Sequence, residues 1–283
     1  MKLGTQPALF AYTGGKPFDP AKPCFVFLHG AQHDHSVWIL QSRYLAHHGY
    51  SVLTFDLPGH GASDGPALTS VEEIAAGVAA ALAPLALDAV LLVGHSMGSL
   101  IALELARGID AGVAGVALLA TAAPMRVADA LLDATRAAPD AAMQMINLWS
   151  HRAGIAPFAA RPGNPGPGFN IVWSNLRLMQ RIAQRNGAHV LANDFAACNN
   201  YRAGLEAAHA LRAPALLVLG SADQMTPPRA AADLIAAIAQ PKTVVTLAGT
   251  GHALMAENPD GVRAALLQFA QRVFASKPAV AMA

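Results

Sequence analysis

From about residue 24 the chain alternates short, wholly apolar runs with longer segments of helical periodicity. Cys24–Leu28 (C-F-V-F-L) reads as a buried strand that stops at His29-Gly30. Ser36–His48 spaces Trp38, Leu40, Tyr44 and Leu45 as an apolar helical stripe, and Gly49 closes it. Ser51–Phe55 is the next strand, ended by Asp56-Leu57-Pro58-Gly59. Thr69 and Ser70, followed by Glu72 and Glu73, open a helix through about Ala83, because small polar caps and early acids suit the helix dipole. Ala89–Val93 is a third strand, Met97–Arg107 a helix that starts almost without a linker, and Val113–Ala120 a fourth strand. Further on come a strand at Ala215–Leu219, a helix at Pro228–Ala239, a strand at Thr243–Leu247 and a closing helix at Pro259–Ala275.

Continuously apolar strands alternating with helices predict an α/β fold: a mostly parallel central sheet covered by helices on both faces. The alternation lapses between about Pro124 and Leu211. That stretch holds helical segments and a run, Arg161-Pro162-Gly163-Asn164-Pro165-Gly166-Pro167-Gly168, too rich in Pro and Gly to be regular and expected to be mobile. The organisation expected is thus a core of residues 1–123 and 212–283, split by a mostly helical insertion at 124–211. No internal repeat is visible, and Pro278–Ala283 reads as a frayed tail.

Composition narrows the class. The 283 residues are 54% hydrophobic and 13% charged, against roughly 25% charged in an ordinary soluble domain. Disorder is excluded, since apolar material is ample to offset chain entropy. The most apolar stretch, Ala111–Met125, is broken by Gly112, Gly115 and Pro124 and falls short of the roughly 20 residues a spanning helix needs. A net charge of +1 gives no reason to expect nucleic acid or an anionic membrane as partner. Cys24 and Cys198 make no disulfide framework and read as buried thiols. Met1–Pro7 lacks a continuous apolar stretch, so no signal peptide is evident and a cytoplasmic location is expected. The sequence leaves the oligomeric state open.

The strongest chemical signal is Gly94-His95-Ser96-Met97-Gly98, set directly between a strand and a helix. That is the context of a G-x-S-x-G nucleophile elbow: the abrupt turn exposes the serine, the glycines remove Cβ atoms that would clash, and the helix N-terminus faces developing negative charge. Read blandly, it is a Gly-rich turn holding an ordinary serine. His29-Gly30-Ala31 ends the first core strand, where the Ala31 amide, with that of Met97, could form an oxyanion hole. Asp56–Ser63 is a turn-rich loop whose His60 could serve as a base or merely as part of a structural turn. His33-Asp34-His35 superficially suggests a metal site but lacks a further well-spaced ligand. Two more loops follow strands: Gly220–Pro228, with Asp223, and Gly249–His252. In a parallel sheet all of them gather at the carboxyl edge, with Ser96, Asp223 and His252 in the chain order Ser…Asp…His. Alone, Asp223 could be a helix cap and His252 a surface residue.

With these pieces the sequence resembles the α/β-hydrolase superfamily. The resemblance rests on His29-Gly30 followed by Trp38, the D-x-P-G-H-G-x-S loop at Asp56–Ser63, the elbow, and the Asp223 and His252 loops, which span nearly the whole core. It implies that Ser96 is the nucleophile, His252 the general base and then acid, Asp223 the residue orienting His252, and Ala31 and Met97 the oxyanion donors. The other place such a fold puts the acid, after the preceding strand, reads Leu118-Leu119-Ala120-Thr121-Ala122-Ala123 and holds no carboxylate. The insertion falls where the family carries a helical cap.

A serine nucleophile implies acyl transfer rather than the carboxylate chemistry of dehalogenases and epoxide hydrolases. No dinucleotide or P-loop fingerprint is present, so neither a cofactor nor a metal is expected. The insertion holds Met125, Met143, Met145, Leu148, Trp149, Phe158, Phe169, Trp173, Leu178 and Met179. Most are expected to pack the cap, with Trp149, Trp173 and Met143 the candidates to line an apolar acyl pocket. The leading expectation is a serine esterase acting on a small, apolar carboxylic ester. Hydrolysis of a C–C bond, lactone, amide or thioester, or perhydrolysis, uses the same machinery. A different class is a ligand-binding receptor on the hydrolase fold, which turnover would distinguish.

Overall fold

The computed structural model describes residues 1–4, 7–109, 112–152 and 171–275. The Arg161–Gly168 run, Phe158, Phe169 and the tail Pro278–Ala283 lie outside the described residues. The chain begins with two short strands, β1 (Lys2–Leu3) and β2 (Leu9–Tyr12), then β3 (Cys24–Leu28), α1 (Ile39–His47), β4 (Ser51–Phe55), α2 (Val71–Leu82), β5 (Val90–His95), α3 (Met97–Gly108) and β6 (Val113–Leu119). Among the described residues, five α-helices follow before the next strand: α4 (Asp129–Ala137), α5 (Pro139–Trp149), α6 (Ile171–Asn186), α7 (His189–Asn200) and α8 (Gly204–Ala210). Then come β7 (Ala215–Gly220), α9 (Ala232–Ala237), β8 (Lys242–Leu247), α10 (Leu254–Glu257) and α11 (Pro259–Ala275).

The eight strands form one sheet in the order β1-β2-β4-β3-β5-β6-β7-β8. The pairings from β4 to β8 are parallel, while β1 and β2 join antiparallel at one edge. Strand alternation sorts the core into two layers. Val26, Leu28, Leu92, Leu118 and Leu217 face α2, α3 and α9, while Phe25, Phe27, Leu91, Leu119 and Val218 face α1 and α11. Because both faces are covered, β3, β6 and β7 carry no polar side chain, and β5 carries one only at its last residue, His95. Burial of this kind stabilises by roughly 25 cal/mol per Å² of apolar surface.

Local chemistry accounts for the element ends. Ser70 caps α2 by accepting from the Glu73 amide at 3.2 Å, and Glu72 and Glu73 occupy its first turn. The stretch expected as one helix over Pro228–Ala239 is shorter and mixed. It opens as a 3-10 turn at Pro228–Ala231 and is α-helical only over Ala232–Ala237. Ile238 is already extended, three residues ahead of Pro241. Cys24 and Cys198 are free and buried. Among the described residues no helix is long and apolar enough to cross a membrane.

The strand order reverses direction at β3, which lies between β4 and β5. At such a reversal the connections leave β3 and β5 toward opposite faces, and a crevice opens beyond their carboxyl ends. His29-Gly30-Ala31 and His95-Ser96-Met97 stand at those two ends.

Candidate active site

Ser96 sits between β5 and α3 with φ 52° and ψ −120°, a left-handed conformation that side-chain-bearing residues rarely adopt. Its amide donates to Leu119 O at 2.9 Å, and the Ser99 amide donates back to Ser96 O at 2.8 Å. The flanking glycines are required by close approach. A Cβ on Gly94 would run into the Gly98 carbonyl, and one on Gly98 into the carbonyls of Leu28 and His29. Met97 is the first residue of α3, so its amide has no carbonyl four residues back within the helix to bond.

Asp223 and His252 are carried to the same edge by the loops after β7 and β8. His252 Nδ1 donates to Asp223 Oδ2 at 2.8 Å, and both side chains are buried. Asp223 is itself held: Oδ1 accepts the Met225 and Thr226 amides at 2.8 and 2.9 Å, and Oδ2 accepts Thr226 Oγ1 at 2.9 Å. Burial pushes the Asp223 carboxyl up, but the His252 imidazole and the Thr226 donors outweigh it and hold the group below the ordinary carboxylate value. The Asp223 carboxylate engages the His252 ring at Nδ1, which puts the other ring nitrogen, Nε2, on the side away from it.

Ser96 and His252 line one cavity of about 170 Å³, together with Ala31, Leu131, Trp149, Phe195 and Met225. Its wall is apolar for the most part, and Ser96, Arg126, Gln224, Thr226 and His252 are its polar members. Of the three insertion residues singled out from sequence, Trp149 lines this cavity. Met143 is buried in the packing between α5, α6 and α7 with Ile146, Met179 and Phe195, away from the cavity surface. Trp173 lines a separate cavity of about 480 Å³, with Leu40, Leu178 and Met255.

Neither other polar motif joins the Ser96 cavity. His60 is buried, with Nε2 on Asp194 Oδ2 at 2.9 Å and Nδ1 on Pro58 O at 3.1 Å. The His33-Asp34-His35 side chains diverge: His33 to Asn175 at 2.9 Å, Asp34 to Arg181 at 3.1 Å, and His35 to Asp56 at 2.7 Å. The ligand atoms of Asp34, His35 and Asp56 lie within 4.8 Å of one another. Asp56 Oδ1 is taken by the His35 ring and amide, and Oδ2 by the Ala62 amide.

Several supports of the site are invisible to motif reading. His95 Nε2 donates to the main-chain carbonyl of His252 at 2.9 Å. The buried Glu257 accepts the Gly251 amide at 3.1 Å, one residue before His252, and the Ala253 amide donates to Ser150 O at 2.8 Å. Burial, with repulsion from the His252 imidazole, lowers the pKa of His33, His95 and His151.

The parallel sheet with this strand order, the serine turn at the end of β5 and the helices on both faces make up the α/β-hydrolase fold. The family model described as the alpha/beta hydrolase family matches residues 25–265, and the chain belongs to that family. Solved structures share the fold. An esterase from Exiguobacterium antarcticum is 17% identical with a TM-score of 0.79, the match covering 96% of this chain and 99% of that one. A bromoperoxidase from Bacillus anthracis is 18% identical with a TM-score of 0.81, covering 96% and 99%. An enol-lactonase from Burkholderia xenovorans LB400 is 21% identical with a TM-score of 0.77, covering 95% and 98%.

Proposed function

We propose that this protein is a serine hydrolase that cleaves an apolar carboxylic ester through an acyl-enzyme. Ser96 Oγ attacks the ester carbonyl carbon while His252 Nε2 takes its proton. The Ala31 and Met97 amides stabilise the tetrahedral oxyanion. His252 returns the proton to the departing alcohol, and a water deprotonated by His252 then releases the acid. Asp223 keeps the ring in the required tautomer and stabilises the imidazolium.

The observation that carries the reading is the shared cavity: the strained Ser96 and the Asp223-held His252 open onto one apolar space that Ala31 also lines. Its small volume favours a short acyl group over a long chain. We assign residues 124–211 as a cap on a core of 1–123 and 212–283. Supporting this, Leu131, Trp149 and Phe195 of α4, α5 and α7 form part of the cavity wall. A lactone places the same carbonyl against the same serine, so lactone hydrolysis is the second reading, with C–C and thioester cleavage further variants.

The test is a panel of p-nitrophenyl esters of increasing chain length beside lactones, with an organophosphonate to label the nucleophile. Turnover fastest on short esters and labelling confined to Ser96 support the proposal. Stoichiometric acylation without turnover would mark a binding protein on the same fold.

A further inference from the structure

We propose that Asp194, on α7 of the inserted helices, is a positioning residue that sets the Ala31 amide by holding the loop at the next residue, Gln32. The inference rests on the reading of Ser96 as nucleophile and Ala31 as oxyanion donor. It concerns what keeps that donor aimed.

Two consecutive peptide units bracket Ala31, and each is held by a separate bond. The first joins the Gly30 carbonyl to the Ala31 amide. His29 Nδ1 lies 2.8 Å from Gly30 O, and His29 Nε2 accepts the Leu57 amide at 3.1 Å. Nε2 acts as acceptor, so the ring proton is on Nδ1 and is donated to Gly30 O. Carbonyl and amide of a trans peptide point in opposite directions. Fixing Gly30 O toward His29 therefore turns the Ala31 N–H away from it.

The second unit ends in the Gln32 amide, which donates to Asp194 Oδ2 at 2.7 Å. Gln32 has φ 56°, a conformation a side-chain-bearing residue keeps only when its surroundings impose it. The surroundings that do so belong to the insertion. Besides Asp194, Gln32 Nε2 donates to Met179 O on α6 at 3.0 Å. The oxyanion loop of the core is thus clamped by two helices that lie more than a hundred residues further along the chain.

Asp194 is fitted to hold an amide rigidly. Its side chain is fully buried, and the same Oδ2 takes His60 Nε2 at 2.9 Å. Both His60 nitrogens face acceptors, Asp194 and Pro58 O, which only the doubly protonated ring satisfies. The His60 ring lies 5.0 Å from that of His29. His60 and Asp194 thereby tie the second clamp to the first. Asp194 does not line the Ser96 cavity but Ala31, one residue before the amide it holds, does.

The experiment compares wild type with Asp194→Asn and Asp194→Ala. It measures kcat and KM on a short p-nitrophenyl ester and the affinity of a small alkylboronic acid, whose tetrahedral adduct on Ser96 Oγ places an oxygen where the oxyanion forms. Asparagine keeps the shape and one acceptor for Gln32 and carries the test if the alanine variant does not fold. We expect kcat to fall about 10- to 100-fold, less for asparagine than for alanine, with KM within about 3-fold. Boronate affinity should fall in parallel with kcat, which a purely structural role would not produce. Folded variants with wild-type kcat and boronate affinity would overturn the proposal, as would a rise in KM alone. If wild type neither turns over the ester nor binds the boronate, the nucleophile reading fails and this inference falls with it.

Discussion

The residue just before the strained serine holds the residue proposed as its base: His95 Nε2 donates to the carbonyl of His252 at 2.9 Å. The elbow therefore sets both the serine and, through its neighbour, the backbone of the histidine loop. His95→Phe should preserve the packing against Trp38, whose ring lies 6.4 Å away, and remove this bond. One hydrogen bond is worth about 1 kcal/mol, so kcat should fall about 5- to 10-fold with KM little changed. Steady-state kinetics on a folded variant checks this, and an unchanged kcat speaks against the link.

The strain at Ser96 predicts a trade between stability and activity. A non-glycine residue at φ 52° costs of order 1–3 kcal/mol, and glycine carries less of that cost but a larger entropy loss on folding. Ser96→Gly should abolish turnover while raising the unfolding free energy by about 1 kcal/mol in a denaturant titration. A destabilised variant would show that the backbone here is not strained.

Cavity geometry separates the two tryptophans. Trp149 lines the Ser96 cavity and Trp173 a different one. Trp149→Ala should change the kcat/KM ratio between short and long acyl esters, up to roughly 10- to 200-fold per methylene. Trp173→Ala should leave that ratio within about 2-fold. Equal effects from both would contradict the division.

Burial pushes the His60 imidazole down, but the Asp194 carboxylate, Pro58 O and Asp56 outweigh it and raise its pKa above the ordinary 6.5, with the His29 ring as its neutral neighbour. A raised histidine stabilises the fold fully below its unfolded value and less as pH rises through its folded value. The stability gap between wild type and His60→Gln should therefore narrow as pH climbs above about 6.5. Denaturant titrations at several pH values measure it, and a gap that widens with pH has the wrong sign.

What was legible in the sequence follows from how local each determinant is. Ser51–Phe55 and Pro259–Ala275 have the bounds the apolar pattern predicts, because each carries its own period and its own end signals. The elbow and the Asp223 and His252 loops were readable because each is a short motif at a strand end, and the parallel sheet brings strand ends together. The β1 and β2 strands were missed, being too short to show a period. Asp194 was missed for a different reason. It meets Gln32 and His60 across 162 and 134 residues of chain, and nothing beside it in α7 marks it as different from a solvated acid. Met143 and Trp173 show the same limit: apolar periodicity says that a residue is covered, not which cavity or core covers it.

The most direct test of the account is Ser96→Ala, assayed for turnover of a short p-nitrophenyl ester alongside organophosphonate labelling and peptide mapping. Removing the nucleophile while leaving Asp223 and His252 in place should lower kcat by about 10⁴-fold or more, and the covalent label should disappear. Near-wild-type turnover, or a label that persists on another residue, would contradict the assignment of Ser96 and the chemistry built on it.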